Sequence, residues 1–261
     1  MLQNGSFEDG WTDLPPAAGN LINQQPNGWT LRWIEPNESL FGANDTAGGV
    51  PECVHKLATQ LPPNEQPGGP DALILEGTTT YKIFHSGAAF GAELKQTVSG
   101  LNPGSRATLT VPILAVLYSE TDPFGAESGV WVNGEGEWVN GGVMGNRHWH
   151  EHTHQFTVPP TGTAEIVIRV KSKWPRPKDF FIDHIRLQAE TGRPQRGDDP
   201  PVPDPLRPGV TLPGREEPGL RRSQVTVTVP GNLPVVTAQA DKIGSVIIVV
   251  PEGVEVIIER N

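Results

Sequence analysis

Short apolar runs recur along residues 1–189, and Gly, Pro and Asn separate them. Many of these runs alternate apolar and polar residues, a pattern that predicts β-strands with one face in a core. No stretch has the period of a long amphipathic helix, although residues 51–61 have room for one or two helical turns. The predicted strands fall at residues 71–76, 107–118, 129–133, 155–158, 164–170 and 180–187. We therefore expect an all-β sandwich over residues 1–189.

The character of the chain changes at residues 190–222. Eight prolines fall between Pro194 and Pro218, mixed with Gly, Arg and Asp and with few large apolar side chains. Proline favours the extended polyproline II conformation, and a segment without apolar residues has no core of its own. We expect a Pro-rich extended linker here.

Residues 223–261 return to the pattern of short strands, split by Pro-Gly-Asn and Pro-Glu-Gly turns. Residues 224–229 alternate with period two, whereas residues 245–250 (SVIIVV) are apolar on both faces. Strands this short bury little surface by themselves, so their apolar faces need a protein partner. We predict that this small C-terminal β segment docks on an assembly and forms a homo-oligomer. The alternative is that it packs back on the sandwich.

Composition and charge exclude several classes of protein. Gly and Pro make up 57 of the 261 residues, a density that interrupts helices and excludes a coiled coil. The formal net charge of −10 disfavours nucleic acid as a partner, and no apolar run is long enough for membrane insertion. Cys53 is the only cysteine, which excludes a disulfide framework within the chain.

Motifs that carry catalytic chemistry are sparse. The sequence has no G-x-S-x-G element and no phosphate-binding loop. Glu135 and Glu137 follow a predicted hairpin turn at Asn133-Gly134, where burying a carboxyl group as a general acid is difficult. We therefore predict that the protein is not an enzyme.

The N-terminus lacks a basic region followed by an apolar one, so we expect no signal peptide in this chain. With the linker and the apolar C-terminal segment, this favours a place on a virion, such as a phage head or tail, or on another extracellular surface. The alternative is a mature domain that carries an added start Met.

Four motifs occur in a fixed order in the first part of the chain. They are NGSFE at 4–8, QTVSGLNPG at 96–104, Trp149 ahead of FTVP at 156–159, and IDHIRL at 182–187. In this order they resemble the carbohydrate-binding modules of the galactose-binding-like jelly-roll superfamily, especially the xylan- and glucan-binding types. The resemblance implies a jelly-roll β-sandwich that binds a polysaccharide or a surface glycan.

The resemblance also implies a structural Ca²⁺ ion. In the resembling modules, the positions of Glu8 and Asp183 ligate this ion together with backbone carbonyls. The first and last strands of such a sandwich lie close together, and two neighbouring carboxylates repel each other unless a cation joins them. Oxygen ligands of this kind suit Ca²⁺. Two exposed or hydrogen-bonded acids are the alternative.

A sugar ring has apolar faces and polar edges, so its site needs exposed aromatic rings beside carboxylate, amide or guanidinium groups. Trp29 and Trp33 share one side of a predicted strand, and a predicted hairpin brings Trp131 near Trp138. We expect Trp149 and one of the first pair in the core. The predicted ligand-binding residues are Trp29, Arg32, Trp33, Trp131, Glu135, Trp138 and Trp174.

Four histidines recur at period two between residues 148 and 154 and would share one face of a strand. Phe156 has the same parity and is expected in the core. We therefore expect the strand to begin near His152, with the first two histidines in the preceding loop. A His-x-His transition-metal site is left open, because such a pair needs a third ligand.

Together these features favour a non-catalytic glycan-binding sandwich that its C-terminal segment mounts on a larger extracellular or virion assembly. Two alternatives remain open. One is a structural decoration or cementing protein of a phage particle that binds no sugar. The other is an excised module of a secreted polysaccharide-degrading enzyme.

Overall fold

A computed structural model describes residues 1–15 and 21–189 in full, and residues 223–226 and 237–240 as backbone. The chain divides into two compact units, Met1–Gly197 and Asp198–Asn261. The first unit contains the predicted sandwich. The linker predicted at 190–222 and the apolar strand predicted at 245–250 lie outside the described residues.

The strands are numbered in chain order. Those of the first unit are β1 (Trp11–Leu14), β2 (Asn23–Pro26), β3 (Thr30–Trp33), β4 (Glu52–Leu57), β5 (Thr79–His85), β6 (Phe90–Ser99), β7 (Arg106–Val116), β8 (Ala126–Val132), β9 (Glu135–Asn140), β10 (Trp149–Thr157), β11 (Thr163–Ser172), β12 (Lys178–Ile182) and β13 (Arg186–Ala189). A 3₁₀ turn, Ala58–Gln60, follows β4, and a short helix, α1 (Gly141–Met144), follows β9. In the second unit, β14 (Ser223–Thr226) pairs with β15 (Thr237–Ala240) in antiparallel register.

The strands of the first unit form two sheets. The eight-stranded sheet has the order β1-β2-β4-β5-β12-β7-β10, and β13 also pairs with β7. The five-stranded sheet has the order β3-β6-β11-β8-β9. Their pairs are antiparallel except that of β2 with β4. The prediction of an all-β, jelly-roll β-sandwich is confirmed.

The core lies between the two sheets, because the side chains of each strand alternate between its two faces. On β11, Ile166, Ile168 and Val170 are buried against the inner face of the other sheet. Arg169 and Lys171 project from the opposite face of the same strand. Full burial of one such aliphatic side chain contributes about 1.5–3 kcal/mol, so the inner faces supply most of the stability.

A smaller apolar cluster covers the outer face of the eight-stranded sheet and explains one wrong prediction. Residues 71–76 were expected to form a strand, but they form an irregular segment. Leu73 and Ile74 of this segment pack on Leu114 and Phe181. The segment is apolar because it covers the sheet, not because it belongs to one. Residues 51–61 were expected to have room for one or two helical turns. Residues 52–57 instead form β4, and only the 3₁₀ turn that follows is helical.

The N-terminal and C-terminal motifs meet at one edge of the sandwich, as the sequence predicted. The N–H of Ile185 donates a hydrogen bond to the carbonyl of Gly5, 2.8 Å away. A Cβ atom on Gly5 would lie 2.4 Å from the carbonyl oxygen of Ile185, so only glycine permits this approach. Phe7 of the same motif is fully buried and stacks on Tyr81.

The helices of the described residues have three and four residues. None of them has the length and apolar character that crossing a membrane requires.

Candidate functional site

Two of the tryptophans predicted to bind a ligand face the core. Trp29 is only 3% exposed, packs against Phe7 and donates its indole N–H to the carbonyl of Asn4. Trp33 packs on the same core, because its partner in the register is the inward residue Ala92. The side of the chain that Trp29 and Trp33 share therefore faces the core. Burial of Trp29 leaves almost none of its ring for a ligand, which speaks against the predicted contact of this ring with a sugar.

Arg32 lies between these tryptophans in sequence and projects from the outer face of the five-stranded sheet. Its guanidinium lies 3.6 Å from Glu93 of β6, and the Nε of Arg169 of β11 donates to the other carboxylate oxygen of Glu93 at 2.6 Å. One carboxylate is thus held between two guanidinium groups across three adjacent strands. Charge-assisted bonds of this kind fix both the position and the orientation of the groups.

Trp131 lies beside this network. The guanidinium of Arg169 is 4.7 Å from the centre of the Trp131 ring, within the range of a cation–π interaction. The indole lies over two glycines of its own hairpin. Cβ atoms on Gly129 and Gly136 would be 2.6 and 2.7 Å from atoms of the ring. The glycines therefore let the ring lie close against the sheet.

We call the half-exposed outer surface of the five-stranded sheet the sheet face. It contains one aromatic ring and several ion-paired side chains in neighbouring rows of the sheet. Its residues are Arg32, Glu93, Lys95, Trp131, Glu165 and Arg169.

Trp138 borders the sheet face. Its ring meets Trp131 edge to face at 4.9 Å, and Phe41 from the loop after β3 packs against its other side at 5.5 Å. Lys171 lies 4.1 Å from the centre of the same ring. Trp138 and Phe41 therefore form a wall beside Trp131.

The β8–β9 hairpin turns at Asn133-Gly134, as the sequence predicted, with positive φ angles of 53° and 86° at these residues. Glu135 lies on the face of β9 opposite to that of Trp138, because it pairs with the inward residue Val132 whereas Trp138 pairs with Gly129. Glu135 pairs with Val132 and lines a cleft of about 850 Å³ at the open end of the sandwich, together with Arg106. The structure therefore does not bring Glu135 to the sheet face.

Trp174 lies on the loop that follows β11 and is 40% exposed. Its indole N–H donates to Asp122, 2.9 Å away. It belongs to a group of exposed aromatic rings on loops and is not part of the sheet face.

The two predicted Ca²⁺ ligands both bind the segment before β5. Asp183 is fully buried, and its carboxylate accepts N–H groups of Leu75, Glu76 and His184 at 2.6–3.1 Å. Glu8 accepts both the N–H and the hydroxyl of Thr78. Burial raises the pKa of Asp183 to about 7, although these N–H groups oppose the shift.

The hydrogen bonds of Glu8 and Asp183 affect the prediction that these residues ligate a structural Ca²⁺ ion. Within the described residues, no group of three or more His, Cys, Asp and Glu side chains is placed to hold a metal ion. N–H and hydroxyl donors already satisfy the carboxylates of Glu8 and Asp183, so these side chains do not require a cation as their partner. Structural Ca²⁺ stays a prediction that needs its own experiment.

The histidine run differs from the expectation. Strand β10 begins at Trp149, so His150 belongs to the strand and not to the loop before it. His150 and His152 meet edge to face at 4.8 Å, and the Nε2 of His152 bonds the hydroxyl of Ser128. The sandwich is open between its edge strands β9 and β10. Inward histidines are tolerated there because a narrow groove of about 370 Å³ follows this edge.

Sequence reasoning missed Glu93, Arg169 and Phe41. The alternation in residues 164–172 does place Arg169 opposite the apolar positions, so that signal was present. Glu93 belongs to another strand, and Phe41 to a loop with a positive φ of 54°. Their positions depend on strand register and loop path, which no local pattern specifies.

Comparison with known proteins returned structures only. No protein-family model and no curated protein matches the chain. The module TmCBM61, solved with β-1,4-galactotriose, is 16% identical, with a TM-score of 0.45 over 72% of this chain and 97% of that one. The CBM22-1 xylan-binding domain of Paenibacillus barcinonensis Xyn10C is 12% identical, with a TM-score of 0.34 over 71% and 91%.

A third similar structure is the enzymatically active domain of tailspike protein 4 of bacteriophage CBA120. It is 15% identical, with a TM-score of 0.38 over 62% of this chain and 19% of that one. Carbohydrate-binding modules thus recur among the similar structures.

Proposed function

We propose that residues 1–189 form a non-catalytic module that binds a glycan on the sheet face. The observation that carries the proposal is the position of Trp131, which lies close against the sheet beside Arg169, in the network that Glu93 makes with Arg32 and Arg169. An indole offers an apolar plane for the C–H face of a sugar. Guanidinium and carboxylate groups at its border offer donors and acceptors for hydroxyl groups.

The charges of the sheet face indicate a neutral ligand. Arg32 and Arg169 pair with Glu93, and Lys95 pairs with Glu165. The sheet face thus has three cationic and two anionic side chains, and every cation has a carboxylate partner. A site for an acidic polysaccharide would need cations without a carboxylate partner, so a neutral polysaccharide fits better.

Contacts within the protein position one guanidinium of the sheet face before any ligand binds. Arg169 is held by Glu93 and by the Trp131 ring, and both lie on strands paired to its own. Fixed side chains lose little conformational freedom on binding, which favours affinity for a weakly interacting, polar ligand.

Binding without hydrolysis is part of the proposal. A glycosidase places two carboxyl groups on either side of the scissile bond in a cleft. Of the carboxylates of the sheet face, Glu165 is partly exposed and Glu93 is buried between two guanidinium groups, and each is ion-paired. Their arrangement supports recognition of sugar hydroxyls and not general acid catalysis.

The larger assembly remains a proposal from sequence. A virion or another extracellular particle would carry the module through residues 190–261 and use it for adhesion to surface glycans. Its support is the Pro-rich composition of residues 190–222 and the apolar pattern of residues 223–261.

The experiment is affinity electrophoresis of the full chain through gels that contain xylan, β-glucan or β-1,4-galactan. We expect at least one polysaccharide to retard the native protein, and Trp131→Ala to weaken that retardation by about 1–2 kcal/mol, or roughly tenfold in Kd. Trp11→Ala is the matched control, because it removes a half-exposed tryptophan from the eight-stranded sheet. Equal retardation of native protein and Trp131→Ala would contradict the proposed site.

A further inference from the structure

The guanidinium group of Arg169 is held by three contacts from separate parts of the chain. Its Nε donates to Glu93 of β6 at 2.6 Å. The centre of the Trp131 ring on β8 lies 4.7 Å from its central carbon, and the centre of the Phe41 ring, in the loop after β3, lies 5.1 Å from the same atom. A charge-assisted hydrogen bond and two cation–π contacts therefore give this group a defined orientation before a ligand binds.

The outer nitrogens of the same group remain available. Arginine has five N–H donors in a fixed, planar arrangement. Within the part of the chain that the structure describes, the Nε–H of Arg169 binds Glu93 and neither Nη atom has a hydrogen-bond partner. The side chain is 29% exposed, so a ligand can reach it from solvent. The paired Nη atoms can donate two parallel hydrogen bonds to acceptors that lie side by side.

Arg32, the other guanidinium beside Glu93, is held less firmly. Its Nε lies 3.6 Å from the Glu93 carboxylate, beyond hydrogen-bond distance, and 54% of its side chain is exposed. Its guanidinium is also further from the Phe41 ring, at 5.9 Å. A mobile side chain loses more conformational freedom on binding than a fixed one. Arg169 is therefore the better oriented donor of the two.

Phe41 makes its contact from an unfavourable backbone conformation. Its φ is 54°, in the left-handed region that side chains larger than asparagine rarely adopt. From this position its ring packs on Trp138 and on the guanidinium of Arg169. Strained residues are concentrated at binding sites, where the surrounding structure holds them in place. The strain at Phe41 thus supports a role in binding for the ring that it positions.

We propose that the two Nη groups of Arg169 donate to a pair of vicinal hydroxyl groups on one sugar ring, and that Phe41 positions Arg169 for this contact. The inference rests on the proposed function of the sheet face and narrows its ligand. Hydroxyl oxygens on adjacent ring carbons lie side by side, as the paired donors require. A sugar in contact with Trp131 would have its hydroxyl edge within reach of Arg169, because the two side chains touch.

This contact selects polysaccharides by their linkage. A β-1,4 linkage leaves the 2- and 3-hydroxyl groups of each sugar as a vicinal pair, whereas a β-1,3 linkage uses the 3-oxygen and leaves no such pair within the chain. The site should therefore prefer the β-1,4-linked polymer of a given sugar. Glu93 neutralises the charge of Arg169, so its Nη groups are suited to neutral hydroxyl acceptors and not to an anion.

The test measures binding of the full chain to pairs of neutral polymers that share a sugar and differ in linkage. The pairs are β-1,4- and β-1,3-linked xylan, galactan and glucan. Xylans and galactans are cast into affinity gels, and the glucans are used as insoluble suspensions from which bound protein is pelleted. The quantity of interest is the ratio of the two affinities within a pair. This ratio does not depend on the fraction of folded protein, so it stays informative for a variant of lower stability.

Four forms of the chain are compared: the native protein, Arg169→Lys, Phe41→Asn and Arg106→Lys. Lysine keeps a cation beside Glu93 but has no planar pair of donors. Asparagine removes the ring of Phe41 and accepts a left-handed backbone, so this variant should not melt earlier than the native protein. Arg106 is exposed on β7 of the other sheet, and its replacement reports the effect of any change from arginine to lysine.

We expect the native protein to bind the β-1,4-linked member of at least one pair about fivefold or more tightly than the β-1,3-linked member. Arg169→Lys should lose about fivefold in affinity for the β-1,4-linked polymer and little for the other, so that the ratio falls toward one. Phe41→Asn should lower the ratio in the same direction. Arg106→Lys should keep the native ratio.

The outcomes separate this inference from the proposed function. If the native protein binds both members of a pair equally, or if Arg169→Lys keeps the native ratio, the contact with vicinal hydroxyl groups is overturned and glycan binding on the sheet face stands. A native ratio in Phe41→Asn overturns the positioning role of Phe41. If no neutral polymer binds, both proposals fail, and binding of polygalacturonate alone would show that the guanidinium recognises carboxylate groups instead.

Discussion

The guanidinium of Arg169 lies 4.7 Å from the centre of the Trp131 ring, and its Nε donates to Glu93 on the other side. Lysine cannot reproduce this geometry, because an ammonium group is a compact point charge and not a planar group with several donors in fixed directions. We predict that Arg169→Lys weakens polysaccharide binding by about 1 kcal/mol and leaves the melting temperature nearly unchanged. Isothermal titration calorimetry and thermal melting of the same samples check both parts. Native affinity in Arg169→Lys would mean that the guanidinium does not contribute to binding.

Gly129 should tolerate no larger residue. A Cβ atom there would lie 2.5 Å from the carbonyl oxygen of Glu137 and 2.6 Å from the Trp131 ring, so both backbone and ring would have to move. We predict that Gly129→Ala destabilises the fold by about 1–3 kcal/mol and also weakens glycan binding. Urea unfolding measures the first effect. Gly134→Ala at the exposed hairpin turn, where a Cβ meets no atom within 4 Å, is the control for a general loss of glycine. Because the φ of Gly134 is 86°, this control should cost some stability but should leave the Trp131 ring in place.

The buried ion pair of Lys178 and Glu120 gives a prediction about the stability of the loop between β7 and β8. Lys178→Met leaves the carboxylate of Glu120 buried without its cation, which should cost about 3–5 kcal/mol in unfolding free energy. Adding Glu120→Gln should recover part of that loss, because the remaining buried group is then neutral. The double-mutant cycle in urea tests the coupling. Additive losses in the two single variants would show that the pair is not coupled.

Two buried histidines make stability depend on pH. Burial lowers the pKa of His55 and of His152 from 6.5 to about 4 in the folded protein. Between pH 6.5 and 4 the unfolded chain binds protons that the folded chain does not, so lowering the pH favours unfolding. Each histidine contributes up to about 3 kcal/mol of this loss, and the contribution of the histidines is fully present above pH 6.5. The raised pKa of Asp183 acts in the opposite direction, because the folded protein holds that proton more tightly than the unfolded chain.

The measurement is urea unfolding at pH 7.5, 5.5 and 4.5. His152→Gln should flatten the loss of stability at acid pH, whereas His148→Gln, at an exposed position, should not. An equal loss of stability with falling pH in the native protein and in His152→Gln would contradict the assignment of that loss to this residue.

Removal of the Asp183 carboxylate should lower the stability of the fold. Its carboxylate accepts three backbone N–H groups from a buried position, and Asp183→Ala would leave them without an acceptor. We expect a loss of about 2–4 kcal/mol, because each unsatisfied buried donor costs about 1–3 kcal/mol. The Ca²⁺ prediction is tested separately, by melting the native protein with added Ca²⁺ and with EDTA. A midpoint that EDTA leaves unchanged counts against a structural Ca²⁺ ion.

Truncation tests the predicted role of the C-terminal part of the chain in oligomer formation. Residues 1–189 alone should be soluble and monomeric, and the full chain should form an oligomer. Size-exclusion chromatography with light scattering compares the two. Equal monomers would refute the predicted role in oligomer formation, and an insoluble 1–189 would show that the sandwich extends beyond Ala189.

The features that sequence predicted best are those set by local rules. The pair Trp131 and Trp138 was predictable because Asn133-Gly134 favours a two-residue hairpin, which fixes the register of the tryptophans. The position of Glu93 was not predictable, because the register of β6 against β11 depends on the packing of the whole sandwich. Trp29 shows the same limit: the pattern gives the side of the strand, but burial by Phe7 decides which side is the core.

Binding of a glycan against Trp131 can be followed by nuclear magnetic resonance of the indole N–H groups. The seven tryptophans give seven signals, which single Trp→Phe variants assign. The polysaccharide that retards the protein, or short oligosaccharides from it, is titrated into the labelled full chain. A glycan bound at the sheet face should give a saturable shift of the Trp131 signal, a smaller one at the neighbouring Trp138, and none at the buried Trp29. A saturating titration that leaves the Trp131 and Trp138 signals unmoved would contradict it.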